Sequence, residues 1–328
     1  MVRFGIIGTN FITERFIEAA KRNEDFELTA LYSRTGERAA QFGQKYGIPH
    51  HYTDLQEMLD SGNIDAVYIA SPNSLHAEQA IQCMDNGKHV LCEKPLASNV
   101  AEVQDMINAA RRNGVALMEA IKSALMPNFV ALHNSLPKLG QVRRYFANYG
   151  QYSSRYDAYK EGNIQNAFRP EFSNGSLMDL GVYCIYPLAV LFGRPNTVRA
   201  TGVMLESGVD GEGSIIASYD DMDAVIMYSK ITDSSLPSEI QGELGSIRID
   251  KISEPNQIVM TYRGGFAENL HVTQYEPPMY YEIREFLDLI ADGRQESEIA
   301  SWESSLITAE IMEDARKQLG LVYPADVK

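Results

Sequence analysis

Along the first third of the chain, short apolar runs alternate with stretches in which apolar side chains recur every three or four positions. Val2-Arg3-Phe4-Gly5-Ile6-Ile7 predicts a strand, Gly8 a turn, and the next stretch a helix carrying Ile12, Phe16 and Ala19-Ala20 on one face. Residues 28–32 predict a second strand. Thr35 is placed to cap a helix ending at Gly47, with Ala39 and Phe42 inward. A short helix over 54–59 and a strand over 66–70 follow. Asn73 or Ser74 is expected to cap a helix running to Gly87, and His89-Val90-Leu91-Cys92 reads as a buried strand ended by Pro95. Asn99 and Glu102 have capping-box spacing before a helix to about Arg112, and 115–118 supply one more strand. Strand and helix in this alternation predict a doubly wound parallel sheet.

The period changes near residue 144. Runs at 144–152, 198–205, 214–219, 224–230, 239–243 and 258–262 read as strands. Gly245-Ser246 and Gly264-Gly265 suit tight turns between antiparallel neighbours. Helices are expected at 127–136, 176–192, 280–291 and 302–319. The fold expected is therefore α/β in two parts. Residues 1–121 form a dinucleotide-binding domain of Rossmann type. Residues 122–328 form an α+β domain with a largely antiparallel open sheet, and the helix near 302–319 is free to pack back on the first domain.

At 328 residues the chain is long enough for two cores. Its net charge of −15 argues against nucleic acid or an anionic membrane as partner, since both need a basic surface. Cys83, Cys92 and Cys184 fall in apolar runs, as buried reduced thiols do, which together with a start that runs directly into a strand points to the cytoplasm. The six histidines form no ligand cluster, so no metal is expected, and no apolar segment reads as long enough to cross a bilayer.

Candidate chemistry begins at Gly8-Thr9-Asn10-Phe11-Ile12-Thr13, where dinucleotide-binding folds carry Gly-x-Gly-x-x-Gly/Ala. Gly8 fits the tight turn, Asn10 replaces the second glycine through its tolerance of left-handed backbone, and Thr13 takes the third position. The second strand ends in Ser33-Arg34, a hydroxyl and a guanidinium where NAD-binding folds place a carboxylate. That chemistry suits a 2′-phosphate and favours NADP(H), with NAD(H) as the other cofactor. Lys94 leaves the carboxyl end of a strand, where open α/β sheets bind ligands. Alone, such a lysine is a solvated charge. Asp179 and Tyr183, four residues apart in an apolar helix, share one face. A lysine ammonium beside the phenol would favour its ionised form, so Lys94, Tyr183 and Asp179 make a proton relay; the alternative is a core tyrosine and a locally paired aspartate.

These residues carry a family resemblance over essentially the whole chain. Ser71-Pro72-Asn73 with His76, the run Gly87 to Pro95 with its Cys92-Glu93-Lys94-Pro95, the stretch Gly175 to Tyr183, and Glu239-Ile240-Gln241-Gly242 with Gly245-Ser246-Ile247 all resemble the Gfo/Idh/MocA oxidoreductases. Tyr183 and Met118-Glu119-Ala120 are similar to the dihydrodiol and NADP-linked D-xylose dehydrogenases within it. The resemblance implies hydride exchange between NADP(H) and a secondary alcohol or carbonyl of a sugar or cyclic diol. It assigns Lys94 and Tyr183 to proton transfer, Asp179 to support, and Ser71, Pro72, Asn73, His76 and Glu93 to the cofactor. The segment after Glu119-Ala120, which faces substrate in such folds, departs from that subgroup: Ile121-Lys122-Ser123 stands where an aromatic residue and an arginine are usual. Glu119 and Lys122 are thus the expected substrate residues. A homodimer through the C-terminal sheet is also implied, with 224–228 offering apolar residues on both faces. Two other readings share this architecture: a non-catalytic nucleotide or sugar sensor, and a lyase or epimerase that retains its nicotinamide.

Overall fold

A computed structural model describes residues 1–327. Two compact units are formed, one by Met1–Ala120 with Glu276–Trp302, the other by Ile121–Tyr275 with the chain from Glu303 onward.

The first unit holds strands β1 (Val2–Ile7), β2 (Phe26–Tyr32), β3 (His50–Tyr52), β4 (Ala66–Ile69), β5 (His89–Glu93) and β6 (Leu117–Ala120), all parallel in the order β3-β2-β1-β4-β5-β6. Helices α1 (Phe11–Ala20), α2 (Gly36–Tyr46), α3 (Leu55–Asp60), α4 (His76–Asp85) and α5 (Val100–Asn113) link them. β4 is buried along its whole length, as a central strand covered on both faces must be. The order reverses between β1 and β4, and a ligand crevice forms at the carboxyl ends of strands at such a switch. Side chains fix the helix starts. Thr35 Oγ1 accepts from the Arg38 N–H, and Asn99 Oδ1 accepts from the Glu102 N–H while Glu102 Oε2 accepts from the Ser98 N–H. One expected cap fails: residues Asn73–Leu75 form a 3₁₀ turn, α4 begins only at His76, and neither start has a side-chain cap.

The second unit opens with α6 (Lys122–Leu125) and α7 (Pro127–Ser135). After β7 (Val142–Gly150) and α8 (Tyr156–Lys160), a π-helical turn over Leu177–Gly181 runs into α9 (Val182–Phe192). Strands β8 (Thr197–Met204), β9 (Asp210–Ser218), β10 (Asp223–Ser229), β11 (Ser238–Gly242), β12 (Gly245–Ile249), β13 (Ile258–Tyr262) and β14 (Ala267–Asn269) complete a sheet in the order β14-β13-β12-β11-β7-β10-β9-β8. Its pairs are antiparallel except β7 with β10. The π-helical turn and α9 cover one face, over buried Tyr145, Ala147, Ala224, Ile226 and Tyr228. Residues 224–228 therefore alternate rather than being buried on both faces, with Val225 and Met227 on the uncovered side. The Gly245 turn is also displaced: Gly242 pairs with Gly245, so Glu243-Leu244 make the turn and Gly245 opens a strand. The stretch Pro170–Phe192 is long and apolar enough to cross a bilayer, contrary to the sequence expectation, yet 72% of its window is buried inside the protein, as in a core helix.

The chain then returns to the first unit. In α10 (Pro278–Ala291), Ile283, Phe286 and Leu287 are buried, the helix packs on α1, and the Phe286 ring lies 6.1 Å from that of Phe4. The edge strand β6 is covered as well. Leu117 donates its N–H to Gln295 O (3.0 Å), and its carbonyl accepts from Trp302 Nε1 (2.9 Å). The boundary at 121/122 with everything later in one domain is thus corrected: Glu276–Trp302 belongs to the first unit because it closes an exposed edge and an apolar helix face. The rest of α11 (Trp302–Leu319), expected as the returning helix, belongs to the second unit.

Candidate active site

At the β1–α1 turn, Gly8 has φ +109°, and a Cβ there would lie 2.5 Å from the Ala70 carbonyl oxygen. Only glycine fits, and the turn is pressed against the end of β4. Asn10 departs from its sequence rationale. Its backbone is extended (φ −97°), not left-handed, and its side chain caps α1. Oδ1 accepts from the Ile12 and Thr13 N–H groups at 3.0 and 3.2 Å, while Nδ2 donates to Ala70 O at 2.8 Å. One side chain thus ties the helix start to the β4 end, which explains how the turn holds without its second glycine. Thr13 is buried, as the third position requires, and Phe11 is exposed beside Arg15.

At the end of β2, Ser33 donates its N–H to Tyr52 O and Arg34 is exposed. A residue missed in the sequence joins them. Arg38, one turn into α2, donates from Nε to Thr9 Oγ1 (3.0 Å) and from Nη2 to Thr9 O (2.7 Å). Its position three after the Thr35 cap was the available signal. Together Ser33, Arg34 and Arg38 supply a hydroxyl and two guanidinium groups around the end of β2.

The Glu-Lys-Pro element lies at the end of β5, with a cis peptide between Lys94 and Pro95. His76 links it to β4: Nδ1 lies 3.0 Å from Pro95 O, and Nε2 3.0 Å from Ser71 O. Burial lowers the His76 pKa, and the Lys94 charge lowers it further, so a neutral ring donates to one of these carbonyls. Ser71 Oγ donates to Gln79, and Pro72 and Asn73 lie in the turn between them. Glu93 is buried and accepts a 2.5 Å hydrogen bond from the Tyr68 hydroxyl, whose pKa burial drives far up. Glu119, expected at the substrate, is buried instead. Its Oε1 accepts from the Leu96 N–H at 3.0 Å, which anchors the backbone just past Pro95 and makes it a support of the Lys94 turn. Gly8, Asn10, Ser71, His76 and the Lys94-Pro95 bond are thereby gathered at the ends of β1, β4 and β5.

In the second unit, a π-helical turn stands where a straight helix was expected, with Asp179 inside it and Tyr183 just past it at the start of α9. Asp179 pairs with a residue that the sequence did not single out: Lys230 Nζ lies 3.1 Å from Asp179 Oδ2. Tyr183 is flanked by the Tyr149 ring, edge-on at 5.8 Å, and by Lys122, whose Nζ stands 6.0 Å from the Tyr183 ring centre and is paired with Glu254. Lys122, Tyr183 and Glu254 therefore form one polar group, and Glu254 gave no local signal. Among the described residues, no group of three or more His, Cys, Asp or Glu could hold a metal.

The first unit fits a dinucleotide on structural grounds: a glycine that a Cβ would force off Ala70, a capped helix start, and cations around the β2 end. Comparison with known proteins agrees. A family model described as an oxidoreductase family with NAD-binding Rossmann fold matches residues 2–121, and one for the GFO/IDH/MocA C-terminal domain matches 137–248. The chain is 58% identical over 326 residues, 99% of each chain, to scyllo-inositol 2-dehydrogenase (NADP(+)) IolU of Bacillus subtilis (strain 168). It is 31% identical to trans-1,2-dihydrobenzene-1,2-diol dehydrogenase of Xenopus tropicalis, over 98% of this chain and 99% of that one. In fold it matches the aldose-aldose oxidoreductase from Caulobacter crescentus complexed with glycerol, with a TM-score of 0.85 and 23% identity, over 96% of this chain and 98% of that one. The non-catalytic sensor reading gives way to an enzyme. The chain belongs to the Gfo/Idh/MocA family, NAD(P)-dependent oxidoreductases that act on CH–OH groups, within its sugar and polyol dehydrogenases.

Proposed function

We propose that this chain is an NADP(H)-dependent dehydrogenase of a cyclic polyol, with scyllo-inositol or a close stereoisomer as substrate. The observation that carries this reading is the 58% identity, over nearly the whole of both chains, to the Bacillus subtilis enzyme whose name states that substrate and cofactor. The cations around the β2 end support the phosphorylated cofactor. Ser33 can donate a hydroxyl, and Arg34 and Arg38 can share a 2′-phosphate through charge-assisted hydrogen bonds.

When bound, the cofactor supplies the hydride acceptor or donor. The protein's own residues bind, align and move the proton. Lys94 and Tyr183 are the proton-handling pair: they hydrogen-bond the reacting hydroxyl, take its proton as the alcohol is oxidised, and return it in reduction. Asp179 supports the pair from the π-helical turn. Lys122, beside the Tyr183 ring, and its partner Glu254 are an ammonium and a carboxylate suited to hydrogen-bond neighbouring hydroxyls of a polyol. Proton transfer by positioned groups contributes roughly 10²–10⁴-fold.

The test is a steady-state assay with NADP+ and NAD+ over scyllo-inositol, myo-inositol, pentoses, hexoses and a cyclic trans-diol. Oxidation of an inositol with NADP+ preferred is the expected result, and Lys94→Met should lower kcat by roughly 10²-fold or more while NADPH still binds. Turnover confined to open-chain or pyranose sugars would overturn the cyclic-polyol assignment, and unchanged turnover in the Lys94 variant would remove Lys94 from the chemistry.

A further inference from the structure

Lys230, the residue after the end of β10, is 1% exposed, and the proton chemistry above does not use it. Its ammonium donates to Asp179 Oδ2 at 3.1 Å and to Ala167 O at 3.0 Å, and it lies 4.9 Å from the centre of the Phe168 ring. Those last two partners belong to a small cluster of Ala167, Phe168 and Val209, packed by Tyr156, Tyr159, Ile164 and Leu205. So the cation sits on an apolar floor and points at a carboxylate.

The pair is unequal. The Lys230 side chain is almost wholly removed from water, whereas that of Asp179 keeps 43% exposure. An exposed carboxylate needs no buried partner to be hydrated, and a buried ion pair is weak support for stability, because desolvation offsets most of the attraction. An apolar side chain of similar length would fill the same space at less cost. Retaining an ammonium there makes sense if the gain is orientation: a fixed cation beneath Asp179 selects one carboxylate rotamer out of several.

The same turn is held a second time through its backbone. Asp210, fully buried at the start of β9, accepts the Leu177 N–H at 2.7 Å on Oδ2. The Lys230 N–H donates to Gly211 O at 2.9 Å, which joins the two anchors. Gly175, with φ +150°, makes room for them, since a Cβ there would fall 2.1 Å from Asp210 Oδ1.

We propose that Lys230 is a positioning residue of the dehydrogenase site, acting through Asp179 by holding one of its oxygens from below. This rests on the reading that Asp179 supports the reaction. The experiment is a double-mutant cycle on the full-length enzyme with Lys230→Met, Asp179→Asn and the pair, reading kcat, the KM for NADP+, NADPH binding by fluorescence, and folding by circular dichroism. Lys230→Gln, which keeps two N–H donors without charge, is run alongside so that the cycle closes even if the methionine variant does not fold. Each single variant should lower kcat about tenfold or more, with NADPH affinity and KM for NADP+ unchanged, and the double variant should be no slower than Asp179→Asn alone. Wild-type kcat in a folded Lys230 variant, or losses that multiply in the double variant, would overturn the proposal. Wild-type kcat in Asp179→Asn would instead overturn the role given to Asp179 itself.

Discussion

Thr9 is held by the Arg38 guanidinium through both its hydroxyl and its carbonyl, which fixes that cation next to the nucleotide turn. A fixed guanidinium loses less freedom on gripping a phosphate than a free one. Arg38→Ala should therefore raise the KM for NADP+ about tenfold while leaving that for NAD+ nearly unchanged, a charge-assisted bond being worth ~1.5–3 kcal/mol. Equal losses with both cofactors would show that Arg38 only supports the turn. At this scale the sequence was legible where chemistry is local. Gly8, the Thr35 cap and the Asn99–Glu102 pair each act on residues two to four positions away, or on one tight turn. Lys230 and Asp210 were not legible, because they meet the π-helical turn across 51 and 33 residues of chain, and nothing near either one signals the encounter. Asn10 was found for the wrong reason: its value is its side-chain cap, not a left-handed backbone.

Among the elements, the π-helical turn over Leu177–Gly181 is the one whose geometry the pattern concealed. The run from Leu177 to Phe192 is so uniformly apolar that no phase of 3.6 can be read from it, and a straight α-helix was the natural expectation. The turn depends on Asp210. Burial pushes that carboxyl from 3.8 up to about 6, against the Leu177 N–H and the Lys230 charge, which pull it down. The folded-state value lies above the unfolded one, so this group's contribution to stability is full below the unfolded pKa and is lost as pH rises through about 6. Asp210→Asn keeps an acceptor for the Leu177 N–H and never ionises. It should match wild type near pH ~4 and exceed it near pH ~8 by up to about 3 kcal/mol, read from urea unfolding at both values. A variant less stable than wild type by the same margin at both values would show that the side chain matters for shape rather than charge.

For the molecule as a whole, the parallel and antiparallel sheets were legible because their periods differ, while strand edges and the route of the last fifty residues were not. Those depend on which apolar faces remain uncovered once the sheets exist. The uncovered face of the second sheet carries an in-register row, Phe146 beside Val225 beside Ile216, and Ile216 is 51% exposed. Such a row suits a second copy of the chain. We propose a homodimer through it. Ile216→Glu should shift the mass by light scattering from dimer to monomer at micromolar protein, and a wild-type monomer would refute the assembly. The return of Glu276–Trp302 to the first unit bears on how the protein is made. A ribosome delivers the β1–β6 strands before the second sheet, yet Phe4 and the β6 edge must wait for Phe286, Gln295 and Trp302, which follow that sheet in the chain. The nascent nucleotide half thus keeps an apolar face and a strand edge open until the whole of the second sheet has been made.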